Sequence, residues 1–175
     1  MAFDAFLHLA SSKGDIKGET LDNTHKDEID LIKFTLDIHG PDLDVDKAES
    51  AGQVTFNNAE LELYASAATT TLFYCCCTGE LLKTATITCR KPGGGGLPVS
   101  FLQWRFHKVQ VATYKIQTDS HLPKETVTLK YAKLEVSYAK QKQDGTLENP
   151  PRTAGWDASV NQSLKPTLPY GPGKK

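Results

Sequence analysis

The chain is poor in the features that announce most function classes. No apolar run approaches the roughly 20 residues needed to span a bilayer, so membrane insertion is not expected. Net charge is nearly absent, with 20 Lys+Arg against 21 Asp+Glu, which argues against bulk nucleic-acid binding, since that requires a basic surface to displace counterions from phosphate. The opening MAFDAFLHLASSKGD has Asp4 where a secretory leader would need basic residues, and His8 interrupts its apolar stretch. Synthesis and folding in the cytoplasm, without a signal peptide, is therefore the expectation. Cysteine is scarce as well: Cys75, Cys76, Cys77 and Cys89 are all there are. Three adjacent thiols make a poor tetrahedral zinc set, because paired ligands usually stand two to four residues apart. Disulfides do not persist in the cytoplasm, so these residues read as buried, reduced thiols, and no metal or cofactor is expected.

What is present is the composition of one globular domain, with 39% hydrophobic residues and 13 glycines. A chain of this length buries roughly 70% of the surface its unfolded form exposes, enough for a core without staples. The balanced charge hides a split. Residues 1–64 hold 14 acids and 5 lysines, a local charge of -9, and residues 65–175 hold 15 bases and 7 acids, or +8. Either the halves neutralise each other within one fold, or opposite surfaces are complementary and copies attract front to back.

Period-2 alternation dominates the pattern. Phe3, Ala5, Leu7 and Leu9 alternate with polar positions, as do Ile32, Phe34, Leu36 and Ile38, and as do Ala85, Ile87 and Cys89 among threonines; these are half-buried strands. Turn chemistry separates them at Gly14-Asp15, Gly40-Pro41, Pro92 to Pro98 and Asp144-Gly145. Three segments change phase: Val54 and Phe56 against Leu61 and Leu63; Leu102, Trp104 and Phe106 against Val109 and Val111; Val127 and Leu129 against Leu134, Val136 and Tyr138. A mid-strand bulge absorbs such a change and bends the strand, so the expected fold is mainly β, a barrel-like pair of antiparallel sheets. One segment resists: Ala65 to Gly79 has Ala68, Leu72 and Cys75 or Cys76 at helical spacing, with Gly79 placed as a left-handed stop. It predicts one short flanking α-helix that caps an end of the barrel, its cysteines filling a tight helix-to-sheet contact.

Catalytic patterns do not appear, and no enzymatic activity is expected. The sequence has no G-x-S-x-G elbow, no H-E-x-x-H and no phosphate loop. Gly93 to Gly96 lead into a strand rather than a helix N-terminus, and read as a floppy hairpin loop. His25, beside Asp27, Glu28 and Asp30, reads as a turn residue that with Asn23 or Thr24 satisfies backbone groups. His107 falls at a phase change, where a polar side chain can leave the sheet, and His8, His39 and His121 read as solvated strand ends. Asp42, Asp44 and Asp46 alternate like calcium-loop ligands but lack the following Gly and the closing Glu, leaving an exposed acidic loop.

The stretch GDIKGETLDNTHKDEIDL, residues 14–31, resembles the N-terminal signature of the haemolysin-coregulated protein (Hcp) family, through Gly14, Asp15, Ile16, Gly18, Glu19, Thr20, Thr24, His25, Glu28, Ile29 and Asp30. The resemblance continues through Ala85-Thr-Ile-Thr-Cys-Arg-Lys91, Glu125-Thr-Val-Thr-Leu129 with Tyr131, Val136-Ser-Tyr138 and Gly155-Trp156-Asp157. It covers about residues 1–160 in the family's order, and gives an Hcp-like β-barrel domain over residues 1–157. Residues 158–175, with Pro166, Pro169 and Pro172, extend past the family's usual end and read as a flexible Pro/Gly/Lys tail.

The resemblance implies a subunit of the type VI secretion inner tube: a six-membered ring with a wide channel, stacked into a tube, driven out by a contractile sheath and tipped by a trimeric spike. Small effector proteins can ride in the ring lumen. Export to the extracellular space or a target cell then needs no leader. A closed ring requires a heterologous contact between two different surfaces. The acidic stretch Asp42, Asp44, Asp46 and Glu49 lies in what would be the family's long loop between early strands, and is expected to face Lys130, Lys133 and Lys140 of a neighbour. A phage tail-tube-like subunit, or a monomeric ligand-binding β-barrel, are the alternatives.

Overall fold

The alternation becomes fourteen strands and one helix in the computed structural model, which describes residues 4–44, 46, 49–50, 52–118 and 122–168. In chain order these are β1 (Asp4–Ser11), β2 (Gly14–Ile16), β3 (Ile29–Thr35), β4 (Ile38–His39), β5 (Leu43–Asp44), β6 (Glu49–Ser50), β7 (Thr55–Phe56), β8 (Ala59–Tyr64), α1 (Thr69–Thr78), β9 (Leu81–Pro92), β10 (Pro98–Gln117), β11 (Lys124–Lys130), β12 (Lys133–Tyr138), β13 (Arg152–Asp157) and β14 (Gln162–Ser163). Every pairing among them is antiparallel.

Strands β1, β9, β10, β11, β8 and β3 close on one another in that order, a six-stranded barrel within a ten-stranded sheet. Closure depends on the 20-residue β10. It runs along β9, while its first half also pairs with β12 and its second half with β11. The strands β12, β13 and β14 therefore stand off the barrel as a lateral wing. Inward positions fill the barrel: Leu7, Leu9, Leu61, Leu63, Ile87, Phe106, Val109 and Leu129 are each at most 1% exposed. The interior is a packed core, not a ligand cavity.

Only one of the three phase changes falls inside a strand. In β10 it lies at Lys108, whose φ is 53°, and β9 switches at the same level, from Leu82 to Ala85 on the buried side. Across Lys108 the two strands keep register, His107 opposite Thr84 and Val109 opposite Leu82, and the register shifts of β10 lie elsewhere, between Ser100 and Leu102 against β9 and between Val111 and Thr113 against β11. The other two changes fall in turns, at 57–58 between β7 and β8 and at 131–132 between β11 and β12, where a new strand resets the phase without a bulge.

Helix α1 follows the sequence expectation closely. Leu72 and Cys75 are buried together with Ala68, and Gly79, at φ 68°, donates its N–H to the Cys75 carbonyl. Burial pushes the thiols of Cys75 and Cys89 up, Cys89 to about 11, so both stay protonated and behave as small apolar groups. Cys77 is exposed.

Two expectations about loops are corrected. The first half of the Gly93 to Gly96 run is docked rather than free: Gly94 donates its N–H to the Gly145 carbonyl, and a Cβ on Gly94 would meet the Asp144 carbonyl oxygen. Two turns are docked backbone to backbone, which only glycine permits. The chain beyond Asp157 is also not a free tail as far as Leu168. Ser163 pairs with Trp156, Leu164 donates to the Gly155 carbonyl and Leu168 is 2% exposed. Residues 169–175, and His121, lie outside the described residues.

Candidate assembly surface

Three polar constructions mark the surface of this barrel. The first explains the signature over residues 14–31. Asp22 accepts from the backbone N–H groups of Thr24 and His25 and from the Thr24 hydroxyl, so it, rather than Asn23 or Thr24, satisfies the turn. Its carboxylate also receives Arg90 bidentately, at 2.7 and 3.0 Å. Arg90 is 5% exposed, bonds the Thr24 hydroxyl at 2.9 Å, and lies 4.5 Å above the Phe6 ring. The His25 ring stacks on Phe6 at 4.3 Å and pairs with Glu28 at 2.9 Å. The Arg90 guanidinium holds the Asp22 carboxyl well below the usual carboxylate range. Gly18 lets this turn close, since a Cβ there would meet the Glu28 carbonyl oxygen at 2.3 Å.

The second construction lies on the polar face of the wing. Glu135 is 1% exposed and accepts from His107 Nε2 at 2.6 Å, Thr167 N–H at 2.6 Å, the Thr167 hydroxyl at 3.0 Å and Leu168 N–H at 3.1 Å. Burial alone would raise this carboxyl, but the Thr167 and His107 donors outweigh it and hold it below its ordinary value. His107 thus stays on the sheet as a partner of a buried carboxylate instead of leaving it. Beside this group, Lys133 meets Asp157 at 2.6 Å, and that contact holds Asp157 down at about 2.

The third is the arm from β4 to β7, in which β4 pairs with β7 and β5 with β6. It carries the acidic residues expected at an interface. Asp42 and Asp46 are exposed, while Asp44 and Glu49 are opposite each other in the β5–β6 pairing. At its root, Asp37 bonds Asn57 and His39. His39 is exposed, and His8 pairs with Asp15 at 3.3 Å.

The three lysines expected to face this arm do not share one environment. Lys130 is exposed at the end of β11, Lys140 is exposed with Glu148 at 3.9 Å, and Lys133 is committed to Asp157 within the chain. The structure thus leaves Lys130 and Lys140 as the outward-facing bases.

Sequence reasoning missed Arg90, Asp22 and Glu135, because each works through a contact more than 30 residues away in sequence. Glu125 carried a visible signal. It shares the phase of Val127 and Leu129 and is fully buried, with the Tyr114 hydroxyl donating to it at 2.7 Å. Among the described residues no group of three or more His, Cys, Asp or Glu is placed to hold a metal ion, and no helix is long and apolar enough to cross a membrane.

Comparison with known proteins bears directly on this surface. Residues 6–138 match the family model described as "Type VI secretion system effector, Hcp". The chain is 29% identical over 164 residues to Protein hcp1 of Pseudomonas aeruginosa, covering 92% of this chain and 98% of that protein. Among solved structures, Hcp1 from Salmonella typhimurium superimposes with a TM-score of 0.72 at 26% identity, covering 93% of this chain and all of that one. A structure described as a type six secretion system protein reaches a TM-score of 0.80 over 93% of this chain and 100% of the other, and at 21% identity it bears on the fold alone. With the family model spanning the barrel and the first strand of the wing, about three quarters of the sequence, the chain belongs to the Hcp family of type VI secretion proteins.

Proposed function

We propose that this protein is a structural, non-enzymatic subunit of a type VI secretion tube, assembling as hexameric rings that stack and are expelled by sheath contraction. Membership of the Hcp family, over residues 6–138, is the observation that carries the reading. In it the ring meets a trimeric spike and the contractile sheath, and small effectors travel in its lumen. The arm supports a heterologous contact, because its Asp42 and Asp46 are exposed while the exposed bases Lys130 and Lys140 lie elsewhere in the chain. Opposite charge on different surfaces orients copies and speeds their encounter.

Light scattering on the purified chain tests this directly. A ring gives about six times the 19.2 kDa subunit mass, and a single 19.2 kDa species at all concentrations refutes it. The arm is tested by the triple variant D42A/D44A/D46A, which should assemble less well than wild type at low salt and differ less at high salt, where screening weakens the contact. A monomeric ligand-binding barrel is disfavoured because side chains fill the barrel interior.

A further inference from the structure

The chain leaves Leu168 beside an open groove. Thr167 and Leu168 donate their N–H groups to Glu135 of β12, and the Thr167 carbonyl lies 3.5 Å from the Arg105 guanidinium of β10. One step further along the same face of these paired strands stand Ser137 and Gln103, about 7 Å away, and both line a groove of about 520 Å³. That volume suits a short peptide or a small ligand. The walls are mainly apolar, with Leu97, Val99 and Phe101 from the start of β10 and its preceding turn, and Leu147 and Pro151 from the connection between β12 and β13. Strand direction sets the approach. Because β14 is antiparallel to β13 and β13 to β12, β14 runs the way β12 runs, from Glu135 toward Ser137 and Ala139 at the groove.

We infer that this groove is the docking site of the chain's own residues 169–172, a proline ridge that continues from the Glu135 clasp within one subunit. Pro166, Pro169 and Pro172 recur at every third residue, which is the period of the polyproline II helix, so in that conformation the three rings share one side. Leu164 to Leu168, which lead into the ridge, already lie outside any helix or strand. Proline segments dock in grooves lined by aromatic and apolar side chains, because their backbone is ordered before it binds, and Phe101 with its apolar neighbours supplies such a lining. The carbonyls of a polyproline II helix are unbonded within it. On the groove floor the Ser137 hydroxyl and the Gln103 amide are donors for them. The reach also matches: at 3.1 Å per residue, residues 169–172 cover about 12 Å, against roughly 13 Å along β12 from Glu135 to Ala139. A tethered segment has the further advantage over a free ligand of an effective concentration on the order of 1 mM.

The test uses the full chain and a fluorescent peptide with the sequence of residues 168–175, its binding followed by anisotropy. With a dissociation constant of about 100 μM for the free segment, the tethered one fills the groove about ten to one, and added peptide binds wild type roughly tenfold more weakly than it binds an empty groove. Pro169→Ala with Pro172→Ala removes the ridge and frees the preset backbone, so this variant should bind the peptide about tenfold more tightly than wild type. Adding Leu97→Asp should abolish that gain, and because Leu97 is 74% exposed the fold survives the change. Equal affinity of wild type and the proline variant, or binding to neither, overturns the inference, and so does binding indifferent to Leu97→Asp. A proline variant whose mass by light scattering falls below that of wild type also overturns it, because the segment then docks on a neighbouring subunit. The contact lies within one subunit, so the peptide result is independent of whether rings form.

Discussion

Removing the guanidinium of Arg90 is the most informative single perturbation of the subunit. Arg90→Met keeps an unbranched aliphatic side chain and deletes the guanidinium, which lies 4.5 Å above Phe6 and holds Asp22 at 2.7 and 3.0 Å. Hydrogen bonds to charged groups contribute roughly 1.5–3 kcal/mol each, and two to Asp22 would sum to several. Asp22 retains 26% side-chain exposure, so water recovers part of its solvation, and the Thr24 and His25 donors remain. The expected loss is therefore about 3 kcal/mol, toward the lower end of what breaking a buried pair costs. For a domain of this size that corresponds to a melting temperature lowered by roughly 6–12 °C. Arg90→Lys keeps the charge but not the fork and should lose about half as much. Circular dichroism melts at one fixed protein concentration measure both, since assembly otherwise shifts apparent stability. An Arg90→Met protein melting within about 2 °C of wild type would refute the reasoning, as would Lys and Met variants that melt alike.

Acid should destabilise the subunit through Asp22 and Glu135. Both carboxyls are held below their ordinary values in the folded chain, so their contribution is complete above the unfolded values near pH 4 and is lost as pH falls through the folded ones. Urea midpoints should be flat for these groups between about pH 5 and 7 and fall below about pH 4, with a shallower fall in Asp22→Asn. Glu135→Leu leaves the Thr167 and Leu168 N–H groups unpartnered, and about 3 kcal/mol should be lost. Amide exchange at those two residues should then become fast, and protection equal to wild type would contradict the assigned bonds. Gly18→Ala forces a Cβ to within 2.3 Å of the Glu28 carbonyl oxygen and should cost about 1–3 kcal/mol, whereas Gly40→Ala, with open space around it, should unfold like wild type.

What was legible in the sequence was local. Alternation in β1, β9 and β10 and the Leu72, Cys75 and Gly79 spacing of α1 identified strands and helix correctly, because each depends on neighbours within a few residues. The Hcp resemblance of residues 14–31 also reads from contiguous sequence. The tertiary structure decided the rest. It showed that two of the phase changes are turns and that the glycine loop is a docked one. It also showed that residues up to Leu168 belong to the packed chain, clasped by Glu135. Lys133 makes the same point: by pattern it resembles Lys130 and Lys140, and only the folding of β12 against β13 brings Asp157 within 2.6 Å of it. Sequence periodicity records which face of a strand turns inward. Which distant polar group meets which is settled only when the barrel closes, because burial removes water as the alternative partner.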